Sequence, residues 1–312
     1  MKISANYLLK LLFSFLIFGL ALSQVDWLLV QDTLFAASGL WLSLHLATLV
    51  LERLVFTWKW LLLIHVFNRG VSFLQLLANA LVGKLWGTFL PSSLGVDIIR
   101  AYYLNRDIDN PTQVTASVLC DKLLALVALL LVALVGLLQS PAELQNPVFL
   151  LILFLGASAV ALLIFVSVND GAANILNRIF SSINLAPLGL FVKRVSKTMQ
   201  VYSHVPLVLF WSFLGSCGLQ LTRVISVWLM ALALGIDVSF TFLMLVIPLS
   251  MLLIMLPISI GGIGLREGIL VGIFNLVGMD STDGFSLGLS ITLADLLLSV
   301  AGGLAYLKTP RK

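Results

Sequence analysis

Charge is what this 312-residue chain has least of: 10% of its residues are Asp, Glu, Lys or Arg, against 60% that are hydrophobic. Soluble globular domains carry about 25% charged residues, so the composition excludes a soluble domain. Cysteine is nearly absent. Cys120 and Cys217 are the only two, and each sits inside an apolar stretch; they read as small core residues, which argues against a disulfide framework or a thiolate metal cluster. The three histidines, His45, His65 and His204, lack any metal-ligand spacing, so no metal is expected, and His45 reads as a satisfied core or cavity residue. No G-x-x-x-x-G-K-[ST] phosphate loop occurs, which argues against direct drive by ATP. No nucleophile–base set or paired acid–base motif occurs either, so the expectation is a protein that is not an enzyme and carries no cofactor. A net charge of +4, spread over scattered basic residues, gives no reason to expect a nucleic-acid partner.

What the chain has is apolar length. Segments near 4–23, 33–51, 73–90, 114–138, 147–168, 205–234, 241–260 and 285–307 are apolar or nearly so, and about 20 such residues cross a bilayer core. The expected fold class is an all-α polytopic membrane protein forming a single domain over 1–312. The first segment has a basic start at Lys2 and "ALS" before Gln24, features of a secretory signal, but it reads as a retained first helix. The extended polar connector at 169–204 reads as one or two amphipathic helices on the cytoplasmic membrane surface.

The charges flanking these segments set an orientation by the positive-inside bias. Lys2, Lys10, Arg53, Lys59, Arg69, Arg178, Lys193, Arg194, Lys197, Lys308, Arg311 and Lys312 mark cytoplasmic positions. The acidic connectors near 24–32, 139–146, 235–240 and 279–284 contain no Lys or Arg and belong outside. Eight ordinary crossings do not satisfy this distribution. It balances with about six full crossings and two re-entrant broken helices, 73–104 dipping in from the cytoplasm and 241–279 from outside, with both termini in the cytoplasm of a cell (inner) membrane.

The two re-entrant elements carry a repeat. "LPSSLGVDIIRAYYL" (90–104) aligns without a gap on "LPISIGGIGLREGIL" (256–270), matching Pro91 with Pro257, Ser93 with Ser259, Gly95 with Gly261, and Arg100 with Arg266. Opposite directions of approach make this an inverted-topology pair, an arrangement that places substrate sites at the midplane of many transporters. Non-helical backbone at membrane depth survives only when buried in protein or lining a wet cavity. The returning half-helices offer free N–H groups and a positive dipole end, and each arginine adds a donor fork matched to phosphate or carboxylate. The expected result is an anion site built from Arg100, Arg266, Ser93, Ser259, Gly95, Gly261 and Gly262. The competing reading is that P-x-S-x-G marks two ordinary turns; an intramembrane arginine costs at least about 2.5 kcal/mol, and two at matched offsets favour function.

Other charges join as candidates. Asp97 precedes Arg100 by three residues, so the two share a helix face, either as a neutralising pair or as part of the site. Glu267 cannot share the face of Arg266 and either pairs elsewhere or belongs to the substrate site. Asp121–Lys122 opens a charge-free run and reads equally as an interfacial pair. Arg223, in "QLTRV", is a third anion contact, and Asp295, in "LADLLLS", is an arginine partner or a proton carrier. Asp97, Glu267, Asp295 and Asp121 are the candidate proton-coupling groups.

"LPSSLGVDIIRAYYL", the following "SVLCDKLLALVALLL" and "LPISIGGIGLREGIL" resemble the flippase-like transmembrane domain of the lysylphosphatidylglycerol synthase/flippase family, across nearly the whole chain. Two positions depart from that pattern. Val96 stands where the family's first motif usually has a second glycine, and Lys122 where an arginine usually follows the later aspartate. The resemblance implies movement of a charged lipid, of phospholipid or polyprenyl-phosphate type, between leaflets. The family's bifunctional members add a cytosolic aminoacyltransferase domain. The membrane region accounts for these 312 residues, so lysyl transfer is not expected. The alternative is a subunit that binds such a lipid and presents it to a glycosyltransferase or other lipid-modifying enzyme. The expected partners are therefore a lipid with a phosphate-containing headgroup, an enzyme of that kind, and further copies of the chain in a homo-oligomer.

Overall fold

In the computed structural model the described residues are 5–88, 90, 95–108, 110–140, 146–169, 171–172, 174–175, 177–178, 186–256, 259 and 261–308. Among them lie twelve α-helices and no strand: α1 Ala5–Leu22, α2 Trp27–Phe35, α3 Gly39–Ile64, α4 Phe73–Thr88, α5 Gly95–Ile108, α6 Pro111–Gln139, α7 Pro147–Val168, α8 Ala186–Met199, α9 Pro206–Ala233, α10 Phe240–Ile254, α11 Leu265–Leu276 and α12 Ser281–Lys308. The sequence signals for helix starts are mostly local. Asp26 accepts from the Leu28 N–H at 2.9 Å to open α2, Asn110 caps α6 with Pro111 in its first turn, and Asn146 does the same for α7 ahead of Pro147. Each cap oxygen satisfies an N–H that helix geometry leaves unpaired.

Five helices are long and apolar enough to cross a membrane: α3, α6, most of α7, α9, and α12 as far as Val300. The pair Ser14–Leu22 and Trp27–Phe35, bent by 90° at the intervening break, makes a sixth apolar unit. The protein is an all-α polytopic membrane protein. Helix α7 shows its surroundings most plainly, with Leu150, Leu151, Phe154, Leu155 and Leu162 all exposed, an apolar face suited to acyl chains rather than water. Helix α1 packs onto α11, so the first apolar segment is part of the fold.

The boundary drawn at residue 51 does not hold. Helix α3 continues to Ile64 and carries Arg53 and Lys59 within it. The two are therefore helix charges rather than loop charges, and both have partners: Lys59 is fully buried and ion-paired with Asp121 of α6, and Arg53 lies 3.5 Å from Glu52. Compensated in this way, neither charge obliges the helix to end. The polar connector does contain the amphipathic α8. Val195, Ser196 and Met199 are buried and Lys193, Arg194 and Lys197 exposed, and a short 3-10 turn over Gln200–His204 follows.

Helices α4, α5, α10 and α11 have 16, 14, 15 and 12 residues. All four fall short of the ~20 that span a bilayer. They form two helix–break–helix units, and the main core lies against the second: Val132 and Ala133 of α6, Phe149 of α7, Val224 of α9, Phe242 of α10 and Phe274 of α11 pack together. In the first unit, α5 starts hard against α4. A Cβ on Gly87 would lie 2.5 Å from the Val96 nitrogen, closer than any real Cβ contact.

Candidate functional site

The two breaks meet. The Gly261 N–H donates to the Leu90 carbonyl at 3.4 Å, and a Cβ at Gly261 would sit 2.4 Å from the Thr88 carbonyl oxygen. Gly261, Gly262 and Gly264 adopt φ of 61°, 80° and 79°, a left-handed run that side chains other than glycine rarely tolerate. The run ends at α11, where the Glu267 carboxylate accepts the Gly264 N–H at 2.7 Å. Pro91, Ser93 and Pro257 of the repeat lie outside the described residues. Ser259 is buried, with its hydroxyl unpartnered among the described residues.

Beside this junction lies a cavity of about 260 Å³. Its wall includes five cationic side chains, Arg53, Lys84, Lys122, Arg223 and Arg266, and three carboxylates, Glu52, Asp97 and Asp295, an excess of two positive charges. Each carboxylate is shared by two cations. Asp295 is 2.8 Å from Lys84 and 2.9 Å from Arg266. Asp97 is 2.9 Å from Arg100 and 3.0 Å from Lys122. Glu52 is held more loosely, 3.4 Å from Arg223 and 3.5 Å from Arg53. The remaining contacts of Arg223 are also long, 3.4 Å to the Gln220 side-chain oxygen and 3.9 Å to the Met251 sulfur, and the Arg53 Nε has no partner among the described residues. A bidentate guanidinium–carboxylate pair normally closes at about 2.7–2.9 Å. Arg223 and Arg53 are therefore the cations with most unspent donor capacity.

The paired arginines of the repeat are not equivalent. Arg266 lines the cavity, donating to Asp295 and to the Thr292 hydroxyl at 3.2 Å. Arg100 does not line it. Its side chain is fully buried, bonded to Asp97 and, at 2.8 Å, to Asp121. Its guanidinium lies 4.5 Å from the ring centres of both Phe56 and Trp60. Placing Arg100 in contact with a substrate anion is thus corrected: two carboxylates and two ring faces already surround it. Asp121 is equally enclosed, bridging Arg100 and Lys59, as a core pair rather than an interfacial one. Glu267 is fully buried, and it also accepts from the Thr292 hydroxyl. It caps a helix and does not face the cavity. Asp97 and Asp295 do face it.

Sequence reading missed Glu52, Arg53 and Lys84 as site residues. Lys84 stood alone in "LVGKLWG", and an isolated charge inside an apolar segment is itself a signal of function. Glu52 and Arg53 were hidden by a segment end placed at residue 51, whereas α3 runs on to Ile64. The free thiols agree with expectation, Cys120 buried and Cys217 half-buried. Among the described residues no group of His, Cys, Asp and Glu has the makings of a metal site.

The family described as the lysylphosphatidylglycerol synthase TM region matches residues 7–303. No curated protein and no solved structure matches the chain. With nearly its whole length covered, and with the two glycine-and-proline breaks brought together beside a cation-rich cavity, the chain belongs to the lysylphosphatidylglycerol synthase transmembrane-region family.

Proposed function

We propose that the protein translocates a lipid with an anionic, phosphate-containing headgroup between leaflets of the cell membrane, without itself catalysing a group transfer. The observation that supports this most is the excess of cationic over acidic side chains lining a cavity between the helices. Uncompensated positive charge at depth is costly, and a phosphate is the partner that the arginine forks fit. Arg223 and Arg53 offer the first contacts, because Glu52 holds them at long range. Arg266, Lys84 and Lys122 join by exchanging a carboxylate oxygen for a phosphate oxygen. Asp97, Asp295 and Glu52 then act as resident counter-ions that hold the cations in place between transport events. Acyl chains stay in the bilayer. Coupling to protons, if used, runs through Asp97 or Asp295, the two candidate carboxylates that face the cavity.

The test is purified protein in vesicles containing a headgroup-labelled phosphatidylglycerol, with translocation followed by quenching of the outer leaflet. Wild type exchanges label faster than protein-free vesicles, and Arg223→Ala and Arg266→Ala slow it. Wild-type protein that binds the labelled lipid with a salt-sensitive affinity but leaves it in its original leaflet is a presenting subunit and not a flippase. Cysteines placed at Asn105 and Asp280 react from opposite sides of the vesicle if the two broken units approach from opposite faces; same-side labelling ends the inverted arrangement.

A further inference from the structure

The cavity has a charged end and an apolar end, and six of the helices that line it share the same order. On α3, α9, α11 and α12 a charged wall residue and an apolar one stand four positions apart: Arg53 and Leu49, Arg223 and Val227, Arg266 and Leu270, Asp295 and Ile291. On α10, Ile247 stands four positions from Met251, whose sulfur meets Arg223 at 3.9 Å. On α6, Leu129 stands seven positions from Lys122. Four residues advance a helix by about 6 Å and return to nearly the same face. Leu129, Val227, Ile247 and Leu270 are buried, and Leu49 and Ile291 pack against the core that contains the last three. The five cations, by contrast, are all half-buried, so the open part of the wall is mainly its charged end.

These offsets all run toward one end of the bundle. Helix α3 is antiparallel to α9, since Glu52 meets Arg223, His45 meets the Ser226 carbonyl, and the Ser38 N–H donates to the Ala233 carbonyl at 2.8 Å. Going back from Arg53 to Leu49 is therefore going forward from Arg223 to Val227. Helix α11 is antiparallel to α12: Arg266 meets Asp295, and a Cβ at Gly288 would lie 3.3 Å from the Leu270 side chain. The start of α10 packs on the ends of α9 and α11 through the ring pairs Trp228–Phe240 and Phe242–Phe274, both at 5.8 Å. Late in α6, a Cβ at Gly136 would press on Met244 of α10. The six apolar side chains thus form one layer, on the side where α3 begins and α6 ends. An apolar constriction excludes water, and a phosphate at the charged end cannot enter it without losing its hydration.

We infer that this layer is a dry gate: it shuts the cavity from the side where α3 begins and leaves it reachable from the other. A headgroup leaves through the shut side only when the six side chains part. The role in transport rests on the cavity being the headgroup's path; the barrier itself is tested without lipid. The experiment places one cysteine on the cavity wall, Ala125→Cys, four residues short of Leu129, in full-length protein whose own thiols are removed (Cys120→Ala, Cys217→Ser). Right-side-out and inside-out membrane vesicles are exposed to a membrane-impermeant anionic methanethiosulfonate. With the layer intact the cysteine reacts in one orientation only. Leu129→Asn, close to leucine in shape, or the milder Val227→Thr makes it react in both. Reaction in both orientations, or in neither, with the layer intact overturns the gate and needs no layer variant to fold. One-sided reaction that persists in folded Leu129→Asn and Val227→Thr overturns it as well. One-sided reaction in a protein that exchanges no lipid leaves the gate standing and removes translocation alone.

Discussion

Arg100 and Arg266 stand at the same offset in two copies of one motif, nine residues after Pro91 and Pro257. Their surroundings have little in common. Arg100 is closed in by Asp97, Asp121, Phe56 and Trp60, and Asp121 in turn holds Lys59. Arg266 leans on one carboxylate and one hydroxyl at the edge of a cavity. One copy of the motif has become a structural clamp between α3, α5 and α6. The other keeps its guanidinium on the cavity wall. A repeat thus fixes where a side chain enters the structure, while the helices packed against it decide what that side chain does.

If the comparison is right, removing Arg100 has the largest effect on folding. Arg100→Ala leaves Asp97 with Lys122 alone and Asp121 with Lys59 alone, removes one cation from each buried carboxylate, and opens a void against Phe56 and Trp60. Breaking a buried ion pair from one side costs about 3–5 kcal/mol. The expected outcome is a strong loss of folded, monodisperse protein in detergent and a lowered thermal midpoint. Asp121→Asn does nearly the same, because Lys59 and Arg100 both lose their common partner. A folded, thermally unchanged Arg100→Ala breaks the comparison.

Arg266 sharpens it from the other side. In Arg266→Ala, Asp295 keeps Lys84, so stability falls by only about 1.5–3 kcal/mol, the range for a hydrogen bond to a charged group. Translocation falls at least about tenfold, since one partner of a charge pair with the ligand is gone. Arg266→Lys keeps the charge without the fork and lies between. Adding Asp295→Asn to Arg266→Ala lowers stability further, because Lys84 then loses its carboxylate as well, and does not recover transport. Transport rescued in that double variant would make Arg266 as structural as Arg100.

Much of the fold was legible because bilayer physics acts on local sequence. Apolar length marked the helices, and the proline–glycine motifs marked the two breaks, which meet through Gly261 and Leu90. The segment end at residue 51 failed for a reason that lies elsewhere in the chain: Lys59 is tolerated inside α3 because Asp121 of α6 neutralises it. The site was legible in the same uneven way. Arg223, Arg266, Asp97 and Asp295 stood out as charges in apolar surroundings and all line the cavity. The separation of Arg100 from Arg266 was not readable, because Phe56, Trp60 and Asp121 come from α3 and α6, up to 44 residues away in sequence. The contact of His45 with Ser226 was not readable either, since the carbonyl it meets belongs to α9.

The smallest effect is expected at Val96, where the family pattern has glycine. Val96 is helical, the second residue of α5, half-buried, and lines the cavity. Its backbone takes no conformation that needs glycine. What the helix needs small is the residue opposite, because a Cβ at Gly87 would lie 2.5 and 2.6 Å from the Val96 nitrogen and Cα. Val96→Gly therefore restores the family residue and still loses stability, by about 1–2 kcal/mol from lost apolar burial and the added freedom of glycine in the unfolded chain. The thermal midpoint measures it. A Cβ at Gly87 would also lie 2.6 Å from the Val96 Cγ2, a contact that Val96→Gly removes, but the backbone contacts remain, so Val96→Gly does not rescue Gly87→Ala, which remains poorly folded in the double variant. Stabilisation by Val96→Gly, or recovery of Gly87→Ala by it, would mean that the valine side chain rather than the backbone sets the α4–α5 approach, and that the first broken unit is held apart from the geometry its repeat mate adopts.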